Sequence, residues 1–469
     1  MSGKLSTAEK NECETYRVIV LGKSGTEILL ASNGDRFALP AVEIPRWQRV
    51  AEDLTAAVNT EWGEEVICLF EPDVSALTNA TGIRYQAAEH CSATGKPKMP
   101  TQWVPFSVLA HDSLIGASDY LAIQQSIALC SGEGKESPSG PFARLGWFKE
   151  LHEWVETVIE PLGFHLSGNV RQLNASPSFS LVRFETDGPA LWFKAVGQPN
   201  QREFLITCTL AHLFPNYIPG VLAGRPEWNG WLTREAAGKL LGEVREDALW
   251  QRAAAALAEL QIDSIDHGAR ILGAGSRDLG AATLSKLIRP FMESMAELME
   301  RQTKVPPAAL GRDELLPLGD RIQSALDALE ALGIPETLGH LDLNPGNIIV
   351  SPRHCTFLDW SEAYVGNPFF SFAYLLEHLR RTSGTDSAVE TKLVEAYCAQ
   401  WEQVVLPSVV AEGLALAPLL AVFAYAAGSN AWEDTERLQP AAAGYLRSLT
   451  RRMHREANEL ESRRSLCLC

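Results

Sequence analysis

The stretch LGHLDLNPGNIIVSPRHCTFLDW, residues 338–360, constrains the fold of this 469-residue chain more than any other. Its apolar runs NIIV and CTFL are joined by Ser-Pro-Arg-His, a pattern that predicts an antiparallel hairpin. Because the two ends of a hairpin lie side by side, Asn347 and Asp359 should be neighbours. Asp342 lies in the loop that precedes the hairpin. The stretch therefore predicts two carboxylates and an amide oxygen within one small volume, a ligand set that suits Mg²⁺.

This spacing resembles the catalytic loop of the protein-kinase-like phosphotransferases, which reads H-x-D-x-x-x-x-N and is followed by a metal-binding aspartate. In detail it is similar to the aminoglycoside phosphotransferase family, also called the phosphotransferase enzyme family. The loop of that family reads approximately H-G-D-L-H-P-G-N and precedes a hairpin that ends in D-W. This chain has HLDLNPGN at residues 340–347 and Asp359-Trp360 after the hairpin. The resemblance covers about residues 145–440.

The resemblance implies a role for each residue of the motif. Asp342 would be the catalytic base, and Asn347 and Asp359 would hold Mg²⁺ beside a bound nucleotide, ATP or GTP. His340 belongs to the same catalytic motif and would brace the loop rather than react. Any one of these side chains, taken alone, is more often a cap or an ordinary loop residue. The four in register, with the hairpin between them, favour the catalytic interpretation.

A second pattern lies in the apolar run ALWFKAV, residues 190–196. A kinase needs a cation on the nucleotide phosphates, which a lysine on a strand supplies. Lys194 falls in the middle of this run, where an unpaired ammonium group would be costly. Glu203 opens the next apolar helix and can pair with Lys194, as the corresponding residues do in kinases. The alternative is that Lys194 extends to solvent along its own aliphatic stem.

The nucleotide-binding residues are marked less clearly. The family lacks a true G-x-G-x-x-G loop, and this chain has Asn-Ala-Ser-Pro-Ser before the first strand of the predicted kinase-like region. Ser176 and Ser178, or their amides, are candidates for a phosphate contact, although Ser/Pro clusters usually form plain turns. The run WLTREAAGKLL, residues 231–241, resembles the interlobe hinge of the family, whose backbone holds the adenine. Glu235 and Ala236 are therefore the hinge candidates.

The chain departs from the family pattern at two positions near the loop. A family segment that reads approximately G-x-P-x-x-D-L-A is matched by Gly366 and Pro368. Ser371 stands where the family has an aspartate that supports the catalytic loop. Leu341 replaces the glycine after His340, at a position where protein kinases also carry a larger residue.

The order of predicted elements divides the chain into two domains and a linker. Residues 1–130 alternate short β-rich runs with helical patterns, which predicts a small α+β domain. Residues 131–141, SGEGKESPSGP, contain no large apolar side chain and predict a linker. The predicted fold class is α+β: after this first domain comes a bilobal protein-kinase-like phosphotransferase domain, residues 142–469. Its N-lobe spans about 142–235 and its helical C-lobe about 236–469.

The first domain resembles a Nudix hydrolase fold, with Leu-Pro before its helix and E-x-G at the end of that helix. Nudix chemistry needs G-x5-E-x7-R-E-U-x-E-E-x-G-U, in which helix glutamates bind Mg²⁺. Alignment on Glu61-Trp62-Gly63 puts Ala-Ala-Val-Asn-Thr where R-E-U-x-E belongs. The resemblance therefore implies a Nudix-like domain that does not hydrolyse substrates and serves recognition or structure.

The amino-acid composition narrows the classes of partner that this protein can be expected to bind. The formal net charge is −17 and no basic run occurs, which argues against a nucleic-acid partner. The nine cysteines include no C-x-x-C pair, so neither a zinc site nor a disulfide framework is expected. The N-terminal segment lacks an apolar run of signal-peptide type, and the most apolar stretch, 414–427, is shorter than a membrane span. We expect a cytoplasmic protein without a membrane partner, of unknown oligomeric state.

Together the motifs predict an ATP- and Mg²⁺-dependent kinase that phosphorylates a hydroxyl of a small molecule. The acceptors of the resembled family include aminoglycosides, choline and homoserine. The alternative is a regulatory pseudokinase that binds nucleotide and transfers no phosphate. The presence of Lys194, Asp342, Asn347 and Asp359 argues against the alternative, and Ser371 argues weakly for it.

Overall fold

The structure, a computed structural model, describes residues 13–46, 50–74, 83–97, 99–116, 118–131, 140–383 and 387–467. Its contacts form two compact units. The first unit consists of residues 1–204 and 220–235. The second unit consists of residues 205–219 and 236–469.

The first unit contains two β-sheets and their covering helices. Its strands are β1 (Cys13–Leu21), β2 (Glu27–Asn33), β3 (Arg36–Ala38), β4 (Ala41–Pro45), β5 (Glu64–Phe70), β6 (Ile83–Ala93), β7 (Thr101–Pro105), β8 (Leu166–Ala175), β9 (Ser180–Thr186), β10 (Leu191–Ala195), β11 (Val221–Arg225) and β12 (Gly230–Arg234). Its helices are α1 (Val50–Trp62), α2 (Asp119–Ser131) and α3 (Trp147–Ile159). A further helix, α4 (Glu203–Leu213), begins with the last two residues of the segment that ends at 204.

The first sheet has the strand order β3-β2-β1-β6-β5, with β4 paired to β1 and β7 paired to β2. β1 runs parallel to β6 and antiparallel to its other neighbours. Helix α1 covers one face, where Leu54 and Val58 pack on Val18 and Val20. The residue after the helix, Gly63, has a φ of +68°. A Cβ there would lie 2.7 Å from the backbone of Gly95, so the predicted helix stop requires glycine for space as well as for conformation.

The second sheet is antiparallel and has the order β11-β12-β10-β9-β8. The predicted Asp-Gly hairpin is confirmed, because β9 and β10 pair directly across residues 187–190. Along β10 the side chains of Leu191, Phe193 and Ala195 are buried. Trp192 and Lys194 are the half-exposed residues between them. The strand therefore offers Lys194 on the face that is less buried.

The two sheets of the first unit share one apolar core. Ile19 of the first sheet and Phe193 of the second are fully buried in the same cluster, together with Trp147 of α3. The side chain of Gln172 on β8 bonds both backbone groups of Cys68 on β5: its Oε1 accepts from the amide at 2.8 Å, and its Nε2 donates to the carbonyl at 3.0 Å. Apolar burial and buried hydrogen bonds thus join residues on both sides of the predicted linker.

The predicted domain boundary at 131–141 does not coincide with a boundary between the two units, because both sides of it belong to the first unit. Most of the predicted linker, residues 132–139, lies outside the described residues. Its linker character stays a prediction. The sequence reasoning missed the shared core because apolar patterning shows that a strand is buried and does not show which sheet covers it.

We expect proteolysis within residues 131–141 to leave the two fragments associated. The segment has no large apolar side chain and should be cut readily, but separation would expose the cluster around Trp147 and Phe193 to water. Size-exclusion chromatography of the nicked protein should show one peak that contains both fragments on a denaturing gel. The same sample in urea, where the fragments must separate, is the control. A folded fragment of about residues 1–130 eluting alone would contradict the expectation.

The second unit is mainly helical. Its strands are β13 (Lys239–Leu240), β14 (Arg277–Leu279), β15 (Thr337–His340), β16 (Ile348–Val350), β17 (Cys355–Phe357) and β18 (Ala363–Gly366). They form two three-stranded sheets, β13-β16-β17 and β14-β18-β15. Its helices after α4 are α5 (Asp247–Asp263), α6 (Gly268–Gly273), α7 (Ala281–Glu300), α8 (Arg312–Ala331), α9 (Phe369–Ser383), α10 (Ser387–Trp401), α11 (Pro407–Gly428) and α12 (Pro440–Cys467). The loop that contains the predicted catalytic residues connects β15 of one small sheet to β16 of the other.

Helix α11 contains the most apolar stretch of the sequence and is longer than the sequence pattern indicated. With 22 residues it is long and apolar enough to cross a membrane by length and composition, and 56% of its most apolar window is buried. Leu420 and Phe423 of this helix are fully buried against α7, α8 and α12. The prediction of a core helix is therefore confirmed for the second unit.

Candidate active site

The predicted catalytic loop begins at the end of β15 with His340, whose side chain is fully buried. Its Nε2 lies 3.0 Å from the carbonyl oxygen of Leu358, and its Nδ1 lies 3.1 Å from the amide nitrogen of Asp342. The amide can only donate, so Nδ1 accepts and Nε2 carries the proton that goes to the carbonyl. Burial lowers the pKa of His340 below its usual value, which keeps the ring neutral, as this arrangement requires.

The hydrogen bonds of His340 therefore connect the two ends of the site. One ring nitrogen fixes the backbone at Asp342, and the other fixes the backbone at the residue before Asp359. Both ring nitrogens are used in these bonds, which leaves no lone pair for proton transfer. The geometry agrees with the prediction that His340 braces the loop rather than reacts.

Ser371 supports the same strand end from α9. Its Oγ accepts a hydrogen bond from the amide of His340 at 2.8 Å and lies 3.1 Å from the hydroxyl of Tyr364. The Tyr364 hydroxyl donates to the carbonyl of Asn367 at 2.9 Å, so the proton of Ser371 is directed to Tyr364. The serine that replaces the family's aspartate therefore still makes a supporting bond to the catalytic loop, through a neutral and fully buried hydroxyl.

The predicted base, Asp342, is half-buried and accepts three side-chain hydrogen bonds. Asn344 and Tyr374 donate to Oδ1, at 3.3 Å and 3.2 Å. Asn347 donates to Oδ2 at 3.4 Å, and its amide nitrogen also lies 2.9 Å from the carbonyl oxygen of Asp342. The side chain of Asn344 in turn accepts from the amide of Gly346 at 2.8 Å. The loop and α9 thus hold the carboxylate in place by neutral donors.

The predicted hairpin and the pairing of its ends are confirmed. β16 and β17 are antiparallel, with Ile348 opposite Phe357 and Val350 opposite Cys355. The amide of Leu358 donates to the carbonyl of Asn347 at 2.8 Å, so Asp359 follows directly on the residue paired with Asn347. Asp359 is exposed and has a φ of +60°. Non-glycine residues rarely adopt this left-handed conformation, which recurs at functional sites.

The donors around Asn347 and Asp359 fit a magnesium ion. The amide nitrogen of Asn347 is used toward Asp342, so its Oδ1 is the atom left to bind a cation. Asp359 adds a carboxylate whose Oδ1 accepts from the hydroxyl of Ser361 at 3.2 Å. Among the described residues, no group of three or more His, Cys, Asp and Glu side chains could hold a metal. One amide and one carboxylate nevertheless suffice for Mg²⁺ that keeps waters and binds substrate phosphates.

The predicted Lys194–Glu203 pair is present in the first unit. The Lys194 Nζ lies 2.5 Å from Glu203 Oε1, and the two side chains are 17% and 1% exposed. The same Nζ lies 5.8 Å from the centroid of the Trp231 ring, which faces Lys194 across the β10–β12 pair. The alternative in which Lys194 extends to solvent is wrong. The pair has the chemistry of the kinase lysine and its glutamate.

Ser176 and Ser178, the candidates for a phosphate contact, lie in the turn between β8 and β9. The hydroxyl of Ser176 accepts from the amide of Phe179 at 3.1 Å, and the amide of Ser176 donates to the Phe179 carbonyl at 2.9 Å. Both groups thus close the turn between β8 and β9. Ser178 abuts Gly197, where a Cβ would meet the serine side chain at 2.3 Å. A phosphate contact from Ser176 or Ser178 stays a prediction.

The hinge candidates fall at the border between the units: Glu235 is the last residue of the first unit and Ala236 belongs to the second. The amide of Glu235 donates to the carbonyl of Ala190 at 2.9 Å, so this group is already used within the sheet. The Glu235 carboxylate accepts from Arg183 at 2.8 Å and 3.1 Å and from Trp192 at 3.1 Å. An adenine contact at this position stays a prediction.

Sequence reasoning missed Tyr374, which touches the predicted base. Helix α9 begins after Asn367, whose side chain accepts from the amide of Phe369 at 3.0 Å, and Pro368 precedes its first turn. Ser371, Tyr374 and His378 follow at helical spacing and share one face. That spacing is visible in the sequence, but only the fold shows that the face turns toward Asp342.

The sequence analysis also did not predict Glu362, which contacts the loop at Leu341. It pairs with Arg277 at 2.6 Å, and its carbonyl accepts from the amide of Leu341 at 3.0 Å. Burial raises the pKa of Glu362, and the charges of Asp342 and Asp359 act in the same direction. Arg277 therefore offsets part of the negative charge that collects around the loop.

Comparison with known proteins supports this interpretation of the loop. Residues 212–409 match the sequence model of the phosphotransferase enzyme family. The predicted small-molecule kinase is confirmed. The matched stretch contains His340, Asp342, Asn347 and Asp359, and it begins after Lys194 and Glu203. The Nudix-like character of residues 1–130 is untested by this match and stays a prediction.

Several solved structures are similar to this chain at low identity. They include the macrolide 2′-phosphotransferase from Brachybacterium faecium (16% identity, TM-score 0.42, 64% of this chain and 98% of that one). Choline kinase from Streptococcus pneumoniae has 15% identity and a TM-score of 0.42 over 67% of this chain and 99% of that one. Choline kinase from Cryptosporidium parvum has 14% identity and a TM-score of 0.44 over 66% and 96%. Comparison with curated proteins found no match.

Proposed function

We propose that this protein transfers the γ-phosphoryl group of ATP to a hydroxyl of a small molecule in a Mg²⁺-dependent reaction. The observation that carries the proposal is the loop in which Asp342, Asn347 and Asp359 are brought together by β15, the β16–β17 hairpin and the buried His340. Phosphoryl transfer depends on positioning and charge neutralisation rather than on covalent chemistry by the protein. A rigid loop of hydrogen-bonded carboxylates supplies the first of these requirements.

Each residue has a distinct task in the proposed reaction. Asp342 takes the proton of the acceptor hydroxyl. Asn347 and Asp359 hold Mg²⁺, which neutralises charge on the phosphates when it is bound. Lys194, oriented by Glu203, contacts the phosphates. GTP could serve in place of ATP, because the tasks of these residues concern the phosphates and not the base.

The proposed acceptor is a small molecule that carries a hydroxyl group. The family match supports phosphotransfer, and the resemblance supports small hydroxylated acceptors such as aminoglycosides, choline or homoserine. A net charge of −17 suits a cationic acceptor without selecting one. The protein is expected to act in the cytoplasm without a nucleic-acid or membrane partner, and the first domain is expected to serve recognition or structure rather than hydrolysis.

The structure weakens the argument for the pseudokinase alternative. Its one favourable sign was Ser371, yet the hydroxyl of Ser371 holds the amide of His340. The presence of Lys194, Asp342, Asn347 and Asp359 supports the kinase over the pseudokinase. A turnover assay decides between the two: purified protein with Mg-ATP and a panel of hydroxylated metabolites and antibiotics should consume ATP with at least one acceptor. Binding of Mg-ATP without transfer to any acceptor or to water would favour the pseudokinase.

We expect Asp359→Ala to weaken Mg-ATP binding by more than ~10-fold, because it removes a metal-binding carboxylate. Titration calorimetry with Mg-ATP measures the effect. Asp320→Ala is the matched control, since Asp320 is an exposed aspartate on α8 and its loss should leave binding unchanged. Equal affinity in parent and Asp359→Ala would contradict the metal assignment.

A further inference from the structure

A tyrosine hydroxyl lies against the predicted base. Tyr374 on α9 donates from its Oη to Oδ1 of Asp342 at 3.2 Å. Asn344 donates to the same oxygen at 3.3 Å, whereas Oδ2 accepts a longer bond of 3.4 Å from Asn347. The two oxygens of the carboxylate are thus held differently: Oδ1 by two donors, and Oδ2 by one weak donor.

The tyrosine itself is fixed from two sides. Its ring lies 4.9 Å from the ring of His378 and 6.0 Å from the ring of Tyr425, the latter at an interplanar angle of 25°. Burial raises the pKa of Tyr374 above its usual value, and the charge of Asp342 raises it further. The hydroxyl therefore remains protonated and remains a donor across the physiological pH range. Tyr374 belongs to a helix and can hold Asp342 from outside the loop, whereas Asn344 and Asn347 belong to the same loop as Asp342.

We propose that Tyr374 is a positioning residue that fixes Asp342 through Oδ1, so that Oδ2 is the oxygen that takes the acceptor's proton. This rests on the proposed function. In the step, the acceptor oxygen forms a bond to the γ-phosphorus, and the bond from that phosphorus to the β–γ bridging oxygen breaks as ADP leaves. The acceptor O–H bond breaks, and its proton passes to Oδ2. Tyr374 touches no reacting atom and acts through the orientation of Asp342.

The kinetic test is Tyr374→Phe, which removes one oxygen and keeps the ring. We expect kcat for Mg-ATP hydrolysis, with water as the acceptor, to fall by about 10- to 100-fold, the usual effect of losing a hydrogen bond to a charged group. KM for ATP should stay within about twofold, because ATP binding does not use this bond.

The matched control is Tyr217→Phe. Tyr217 lies in the same unit and also donates to a carboxylate, that of Glu259, at 3.3 Å. Its loss should leave kcat unchanged. A kcat of Tyr374→Phe equal to that of the parent, a loss of the same size in the control, or a change in KM alone would overturn the proposal.

A second measurement does not depend on turnover. In protein labelled with 3-fluorotyrosine, the ¹⁹F resonance of Tyr374 is the one that disappears in Tyr374→Phe, among the nine tyrosines of the chain. Asp342→Asn should shift that resonance, because it replaces a charged acceptor with a neutral one, and should leave the resonance of Tyr217 in place. An unmoved Tyr374 resonance would overturn the proposal even if the kinase were active. A parent that turns over no ATP would count against the proposed function, and the ¹⁹F shift would still decide whether Tyr374 holds Asp342.

Discussion

Asp342→Asn should lower phosphotransfer by about 10²- to 10⁴-fold, the usual contribution of a general base, while Mg-ATP binding stays nearly unchanged. Asparagine has the shape of aspartate and can still accept from Tyr374 and Asn344, the two side chains that hold Oδ1. It cannot take up the proton of an acceptor. The loss should therefore appear in kcat rather than in affinity or folding. Steady-state turnover and calorimetry with Mg-ATP, on parent and variant, measure both quantities.

The control for this prediction is Asn344→Ala, which removes one of the donors to Asp342 and leaves the carboxylate in place. Its effect on kcat should be far smaller than that of Asp342→Asn. Activity of Asp342→Asn equal to that of the parent would remove Asp342 from the role of base. A collapse of Mg-ATP binding in the same variant would instead assign Asp342 to the metal.

Glu203→Ala should destabilise the first unit by about 3 kcal/mol, because it removes the carboxylate that is bonded to a largely buried ammonium group. The value is the lower end of the usual range, since Lys194 is 17% exposed and gains some hydration. Urea denaturation followed by tryptophan fluorescence should report the change, since Trp231 lies beside Lys194. The same variant should also bind Mg-ATP less tightly, because Lys194 would lose its orientation.

Two further variants separate stability from function at this pair. The double variant Lys194→Met with Glu203→Leu should regain most of the lost stability, because apolar side chains can replace a buried ion pair. It should not regain Mg-ATP binding. Glu293→Ala breaks an exposed pair with Arg289 on α7, whose side chains are 64% and 89% exposed, and should cost less than about 0.5 kcal/mol. A loss in Glu203→Ala no larger than in Glu293→Ala would contradict the structural importance of the buried pair.

The predicted catalytic loop was the part of the molecule whose structure the sequence could predict best. Its residues are close together along the chain, so a hairpin of known register places Asn347 next to Leu358 and Asp359 without knowledge of the rest of the fold. The Lys194–Glu203 pair was predictable for the same reason, since only nine positions separate a strand lysine from the first residue of the following helix.

Contacts between segments that lie far apart along the chain could not be predicted from the sequence. Tyr374 meets Asp342 across 32 positions, and Gln172 meets Cys68 across 104. In both cases a polar side chain satisfies groups on another element, and no periodicity encodes the identity of a partner. The hydrogen bond of Ser371 was also beyond prediction from residue type alone, because its contact with the amide of His340 needs only an acceptor oxygen.

The bidentate bond between Gln172 and the backbone of Cys68 has an evolutionary consequence. The Gln172 side chain bonds the backbone of β5, an edge strand of one sheet, from β8 of the other, so a change in either strand alters the fit of both. We expect homologues with this architecture to show covariation between the position of Gln172 and the apolar residues that surround it on both sheets. Recombination that joins a foreign first region at residues 131–141 should produce chimaeras that fold poorly, whatever the quality of their separate parts.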